Sequence, residues 1–179
     1  MAIRRTRNPA GKARKQGGKA ENTRKKPLRS KSDKAGKKPS STHFPVVGVG
    51  ASAGGLEALE RFLSQMPVDT GMAFVLVTHL ASSHVSMLPE LLKRQTKMEV
   101  VQAEDGMTVQ GNRIHIIPPN TDMAIINGAL LLTSPTEARG LRLPVDHFFR
   151  SLAEDQRDRA ICVILSGNGS DGTLGLKAV

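Results

Sequence analysis

The stretch Val46-Val47-Gly48-Val49-Gly50-Ala51-Ser52-Ala53-Gly54-Gly55, followed by Leu56-Glu57-Ala58-Leu59-Glu60-Arg61-Phe62-Leu63, changes its hydrophobic period part-way along. Residues 44–50 are apolar apart from glycine and read as a buried strand. From Leu56 the apolar positions Leu56, Leu59, Phe62 and Leu63 fall on one helical face, and Met66-Pro67 ends that helix. A buried strand, a turn of small residues and an amphipathic helix form the opening unit of a parallel α/β sheet.

The same alternation continues outward. Residues 73–78 read as a second apolar strand, and Met87–Arg94 as a helix that tolerates Pro89 in its first turn. Met98–Ala103 and Arg113–Ile117 read as short strands. Met123–Thr133 reads as a hairpin turning at Asn127-Gly128. Val145–Asp155 has helical character, Ala160–Leu165 is a further strand, and a helix starts after Asp171-Gly172. The pattern predicts a doubly wound α/β fold: a mainly parallel sheet with helices on both faces and a small antiparallel hairpin. Continuous apolar runs such as Ala73–Val77 and Ile161–Leu165 suit strands covered on both faces. The last helix reaches Val179 after a turn or two, so the chain is expected to be a fragment or a shortened form of something longer.

Charge divides the chain in two. Residues 1–43 hold 15 of the 26 Lys and Arg against only Glu21 and Asp33, and so carry +13; the rest, with 11 basic and 14 acidic residues, carries −3. The basic segment has only Met1, Ile3 and Leu28 as large apolar side chains. Too little apolar surface is available to offset chain ordering, so residues 1–43 are expected to be a disordered tail and residues 44–179 the folded domain. Two readings of the tail stay open: an arm for an acidic surface or nucleic acid, and a solvated extension with no partner. It has no aromatic side chain to stack on bases. No apolar run follows Arg4-Arg5 as a secretory signal requires, and a mitochondrial presequence would want an amphipathic face that is not evident. No stretch has the ~18 apolar residues of a membrane span. The single cysteine, Cys162, excludes an internal disulfide and suits a reducing compartment. Lying within an apolar strand, it is expected to be buried and inert.

Ser52, His79 and Asp171 each follow a predicted strand. The carboxyl ends of parallel strands are where reactive side chains converge, and these three residue types make a hydrolytic triad. Serine needs a base to become nucleophilic. The glycines at 48, 50, 54 and 55 and the helix N-terminus beyond them suit an approaching anion. Other readings compete. Gly48-x-Gly50-x-x-x-Gly54 is close to a dinucleotide fingerprint, but the next strand ends in His79 and no acid follows before Glu90. The run is also explicable as a structural turn. His79 alone reads as a structural histidine, and Asp171 alone as a cap of the last helix or a turn residue. His79, His84 and His115 lack the spacing of a zinc site.

Five motifs in order carry a family resemblance: Gly50-Ala51-Ser52-x-Gly54-Gly55; the strand ending in His79; Ile116-Ile117 before Pro118-Pro119-Asn120; Pro144-Val145-Asp146-x-Phe148-Phe149; and Leu165-Ser166-Gly167-x-Gly169-x-Asp171-Gly172. From about Phe44 to Val179 the chain resembles the CheB-type chemotaxis receptor methylesterases. The resemblance implies a cytoplasmic serine hydrolase that removes methyl esters from glutamyl residues in the cytoplasmic region of chemoreceptors and deamidates receptor glutamines. It implies no cofactor and no metal. By motif position, Ser52 is the nucleophile, His79 the base and Asp171 the orienting acid, with the backbone N–H groups of Ala53 and Asn168 as oxyanion donors. Ala53, Thr78 and Asn168 stand where that family usually has threonine, glutamine and methionine. The receiver domain that precedes the esterase in that family has no counterpart here. The competing expectation is a non-catalytic α/β binding module that keeps the triad residues.

Overall fold

The computed structural model describes residues 43–52, 54–78, 87–135, 142–166 and 170–179. The predicted elements are present, with ends moved by a residue or two. β1 (Val46–Ala51) leads into α1 (Leu56–Ser64), and β2 (Ala73–Thr78) precedes α2 (Leu88–Lys93). Then come β3 (Glu99–Gln102), β4 (Arg113–Ile116), β5 (Asp122–Ile126) and β6 (Ala129–Thr133). α3 (Pro144–Gln156) runs through a short 3-10 turn, Arg157–Arg159, into β7 (Ala160–Ser166), and α4 spans Thr173–Leu176.

Five strands form a parallel sheet in the order β3-β4-β2-β1-β7, and β5-β6 form a separate antiparallel pair. The fold is therefore α/β, as the period-3.6 and continuous apolar segments predict. Alternate strand residues enter opposite layers. Val47, Val49, Phe74, Leu76, Ile114 and Ile116 pack with Leu59 and Leu63 of α1 and Leu88 and Leu92 of α2. Val46, Val75 and Val77 pack on the other face with Val145, Phe148, Phe149 and Leu152 of α3 and with the hairpin's Met123, Ile125 and Leu130.

The glycines of β1 let α3 lie directly on that strand. A Cβ at Gly48 would fall 2.9 Å from Leu152 Cδ2, and one at Gly50 only 2.5 Å from Val145 Cγ1. Both glycines lie inside the strand, paired with β2 on one side and β7 on the other. This corrects the expectation that they border an anion; they serve close helix–sheet contact instead.

The hairpin turns at Asn127 (φ 52°) and Gly128 (φ 74°), the double left-handed geometry of a two-residue primed turn. Its N–H groups are held by α3: Asp155 accepts from Asn127 N at 2.5 Å and from Gly128 N at 3.0 Å.

The expectation that the last strand is covered on both faces fails. Among the described strands β7 pairs only with β1. As an edge strand it leaves Ile161 and Ile164 exposed at 40% and 37%, and Cys162 only half-buried. The described residues all belong to one unit, Lys37–Val179; the tail expected over residues 1–43 lies, apart from His43, outside the described residues.

Candidate active site

Strand order brings the relevant chain ends together. β2, β1 and β7 are neighbours, and Ala51 at the end of β1 pairs with Thr78 on one side and Ser166 on the other. Ser52 follows Ala51 directly and is half-buried. Its carbonyl accepts from Gly55 N at 2.8 Å, closing a turn in which Gly54 has φ +94°. That conformation is strained for any residue with a Cβ. The chain then enters α1, whose N-cap Gly55 has no side chain to offer the helix's first N–H groups. Small residues thus place a hydroxyl at a strand end beside the positive end of a helix.

Asp171 is half-buried between β7 and α4. Its Oδ1 accepts from Asp146 N at 2.9 Å and its Oδ2 from Val145 N at 3.2 Å. It does cap a helix, but α3 rather than the last helix, as its sequence position suggested. The reason lies at the start of α3. Leu143 occupies the N-cap and offers no acceptor, so the first N–H groups of α3 must find one elsewhere. A leucine before Pro144 is a sequence signal that some distant acceptor is required.

Val145 joins the two ends of the site. Its N–H holds Asp171, while its Cγ1 fills the space beside Gly50, two residues before Ser52. The same methyl lies 2.8 Å from where a Cβ of Gly172 would stand. Gly172 also has φ +92°, so the bend that presents Asp171 needs glycine on both counts.

Of the five positions implied by the resemblance, Ser52 and Asp171 are placed; His79, Ala53 and Asn168 lie outside the described residues. His84 also lies outside them. His43 and His147 are exposed. His115 is fully buried within β4, its Nδ1 3.1 Å from Phe74 O. A carbonyl only accepts, so Nδ1 carries the hydrogen, and Nε2 has no partner among the described residues. Burial holds the His115 pKa below the ordinary histidine value. Burial likewise pushes the Cys162 thiol up to about 12, so it stays protonated and unreactive even though only half-buried. Neither group is suited to chemistry at the strand ends.

A family model described as CheB methylesterase matches residues 47–179. The chain belongs to the CheB methylesterase family. Its fold resembles the crystal structure of the Thermotoga maritima CheB methylesterase catalytic domain, with a TM-score of 0.70 and 27% identity over 77% of this chain and 75% of that one. The chain is 38% identical over 137 residues to a protein-glutamate methylesterase/protein-glutamine glutaminase of Geobacillus kaustophilus, covering 74% of this chain and 39% of the relative. A protein of the same description, numbered 2, from Cupriavidus metallidurans is 34% identical over 142 residues, covering 79% of this chain and 42% of the relative. The chain thus spans about two-fifths of the length of these curated CheB relatives.

Proposed function

We propose that this CheB-family domain is a serine hydrolase that cleaves methyl esters of glutamyl residues on the cytoplasmic region of chemoreceptors, and deamidates receptor glutamines by the same route. Ser52 attacks the ester carbonyl and His79 takes its proton. Asp171 orients the His79 ring and stabilises it when charged. The N–H groups of Ala53 and Asn168 receive the oxyanion of the tetrahedral intermediate. His79 then protonates the departing methanol, or ammonia from glutamine, and water repeats the sequence on the acyl-enzyme.

The observation that carries this reading is the tether between the two placed members. Asp171 is gripped by the first N–H groups of α3, and α3 is seated through Val145 on the strand that ends in Ser52. A carboxylate already held by two main-chain donors keeps lone pairs for a third. The similarity to protein-glutamate methylesterase/protein-glutamine glutaminases supports the substrate class. A cytoplasmic location follows from that substrate; among the described residues no helix is long and apolar enough to cross a membrane.

The test is labelling by a serine-directed fluorophosphonate together with methanol release from a glutamyl methyl ester peptide. Label is expected on Ser52, and both signals should vanish in Ser52→Ala. A folded protein that takes no label and releases no methanol would return the non-catalytic binding module.

A further inference from the structure

Asp146 joins the same network from the other side. It is 3% exposed, on the first turn of α3. Its main-chain N–H donates to Asp171, while its own Oδ1 accepts from Gly175 N at 2.5 Å. Asp171 precedes the bend that enters α4 and Gly175 lies within that helix, so one residue holds both the bend and the helix that follows it. The fit depends on Gly175: a Cβ there would fall 2.6 Å from Phe149 Cβ and 3.0 Å from Asp146 Cα. Only glycine lets α4 approach closely enough for its N–H to reach the Asp146 carboxylate. The second oxygen, Oδ2, is buried with no partner among the described residues.

We propose that Asp146 is a positioning residue for Asp171: its carboxylate locks α4 against α3, so that the bend carrying Asp171 cannot swing away from the end of β1. The inference rests on reading Asp171 as the orienting acid. Among the described residues the side chain acts only through Gly175, because the main-chain N–H to Asp171 is kept by leucine, asparagine and serine at 146 alike.

The experiment uses the full chain and compares Asp146→Leu, Asp146→Asn, Asp171→Asn and the double variant Asp146→Leu/Asp171→Asn. The readouts are fluorophosphonate labelling rate, kcat and KM on a glutamyl methyl ester peptide, and thermal midpoint. Leucine fills the volume but cannot accept from Gly175. It is expected to lower kcat and labelling on the order of 10- to 100-fold, the scale of a misplacement of about 1 Å, with KM within about twofold. Asparagine keeps an acceptor oxygen and should retain most activity. On the Asp171→Asn background, leucine should add almost no further loss, because the group it positions is already disabled.

Unchanged kcat in Asp146→Leu, an equal loss in Asp146→Asn, or an additive loss in the double variant each overturns the inference. Wild-type activity in Asp171→Asn would sink the reading of Asp171 and this inference with it. A strong loss there beside an unaffected Asp146→Leu would sink the inference alone. Should the leucine variant fail to fold, Asp146→Ser, which withdraws the acceptor by one bond, replaces it in the same comparison with a smaller expected loss.

Discussion

Asp171 has two main-chain donors and, on the proposed mechanism, a third partner in His79, so its substitutions should report on structure and chemistry together. Asp171→Asn puts an amide NH2 where one of two N–H groups now finds an oxygen. It should lower the unfolding midpoint by the loss of one helix-capping bond, about 1 kcal/mol, and cut turnover by less than Ser52→Ala does. Ser52→Ala and His79→Ala should each cost on the order of 10⁴-fold or more, and the double variant no more than either, because neither group works without the other. Additive losses would show that the two are not one unit. His115 offers a separate prediction. Its folded pKa is depressed by burial, so between that value and the unfolded value of about 6.5 the unfolded chain binds the extra proton. The stability contributed by the neutral ring is therefore present above about pH 6.5 and is lost as pH falls below it. His115→Gln should flatten the pH dependence of the urea midpoint between about pH 5 and 7; a profile identical to wild type would rule His115 out as its source.

At the scale of elements, α3 organises the molecule. One face lies on the glycines of β1, its N-terminus takes Asp171, and its C-terminal half holds the hairpin through Asp155 and through Ser151 Oγ, which accepts from Ile125 N at 3.1 Å. Asp155→Ala strips two tight-turn N–H groups of their acceptor and should cost roughly 1–3 kcal/mol in denaturant unfolding. Gly50→Ala meets Val145 Cγ1 at 2.5 Å, on a side chain stiff at χ1, whereas Gly48→Ala meets Leu152 Cδ2 at 2.9 Å and the Phe149 ring at 3.0 Å, a looser fit. Overpacking of this kind costs about 1–3 kcal/mol; Gly50→Ala should be the worse of the two in thermal unfolding, and should also slow labelling of Ser52 because Val145 carries the strain to Asp171. Equal effects at the two glycines would contradict this coupling. Strand and helix positions were legible from the sequence because continuous apolar runs, period 3.6 and Asn127-Gly128 are local signals. The partners of α3's free N–H groups were not, because a capping bond across 25 or 26 residues leaves no periodic trace.

At the scale of the whole molecule, charge and core are separate matters. The +13 of residues 1–43 stands apart from a domain of −3 whose apolar layers are built from residues beyond Phe44. Deleting residues 1–43 should leave the thermal midpoint of the remainder within a few degrees; a larger drop would show that the segment packs on the domain. The two sheet edges differ in kind. β3 is four residues long and carries the Glu99–Arg113 ion pair, whereas β7 is seven residues long, apolar and partly exposed. Short charged edges discourage further pairing and long apolar ones do not. The sequence by itself determined the α/β class, the hairpin turn and Gly54 as a turn residue, since each depends on residue type and short-range spacing, and it singled out Ser52, His79 and Asp171 as the candidates on which the proposed function rests. Tertiary structure alone decided that Gly48 and Gly50 serve helix contact, that Ile161 and Ile164 of β7 stay exposed, that Asp171 caps α3, and that Asp146 ties α4 to the same helix. These depend on which surfaces meet once both faces of the sheet are covered, and packing of that kind is a property of volumes and free hydrogen-bonding groups far apart in the chain.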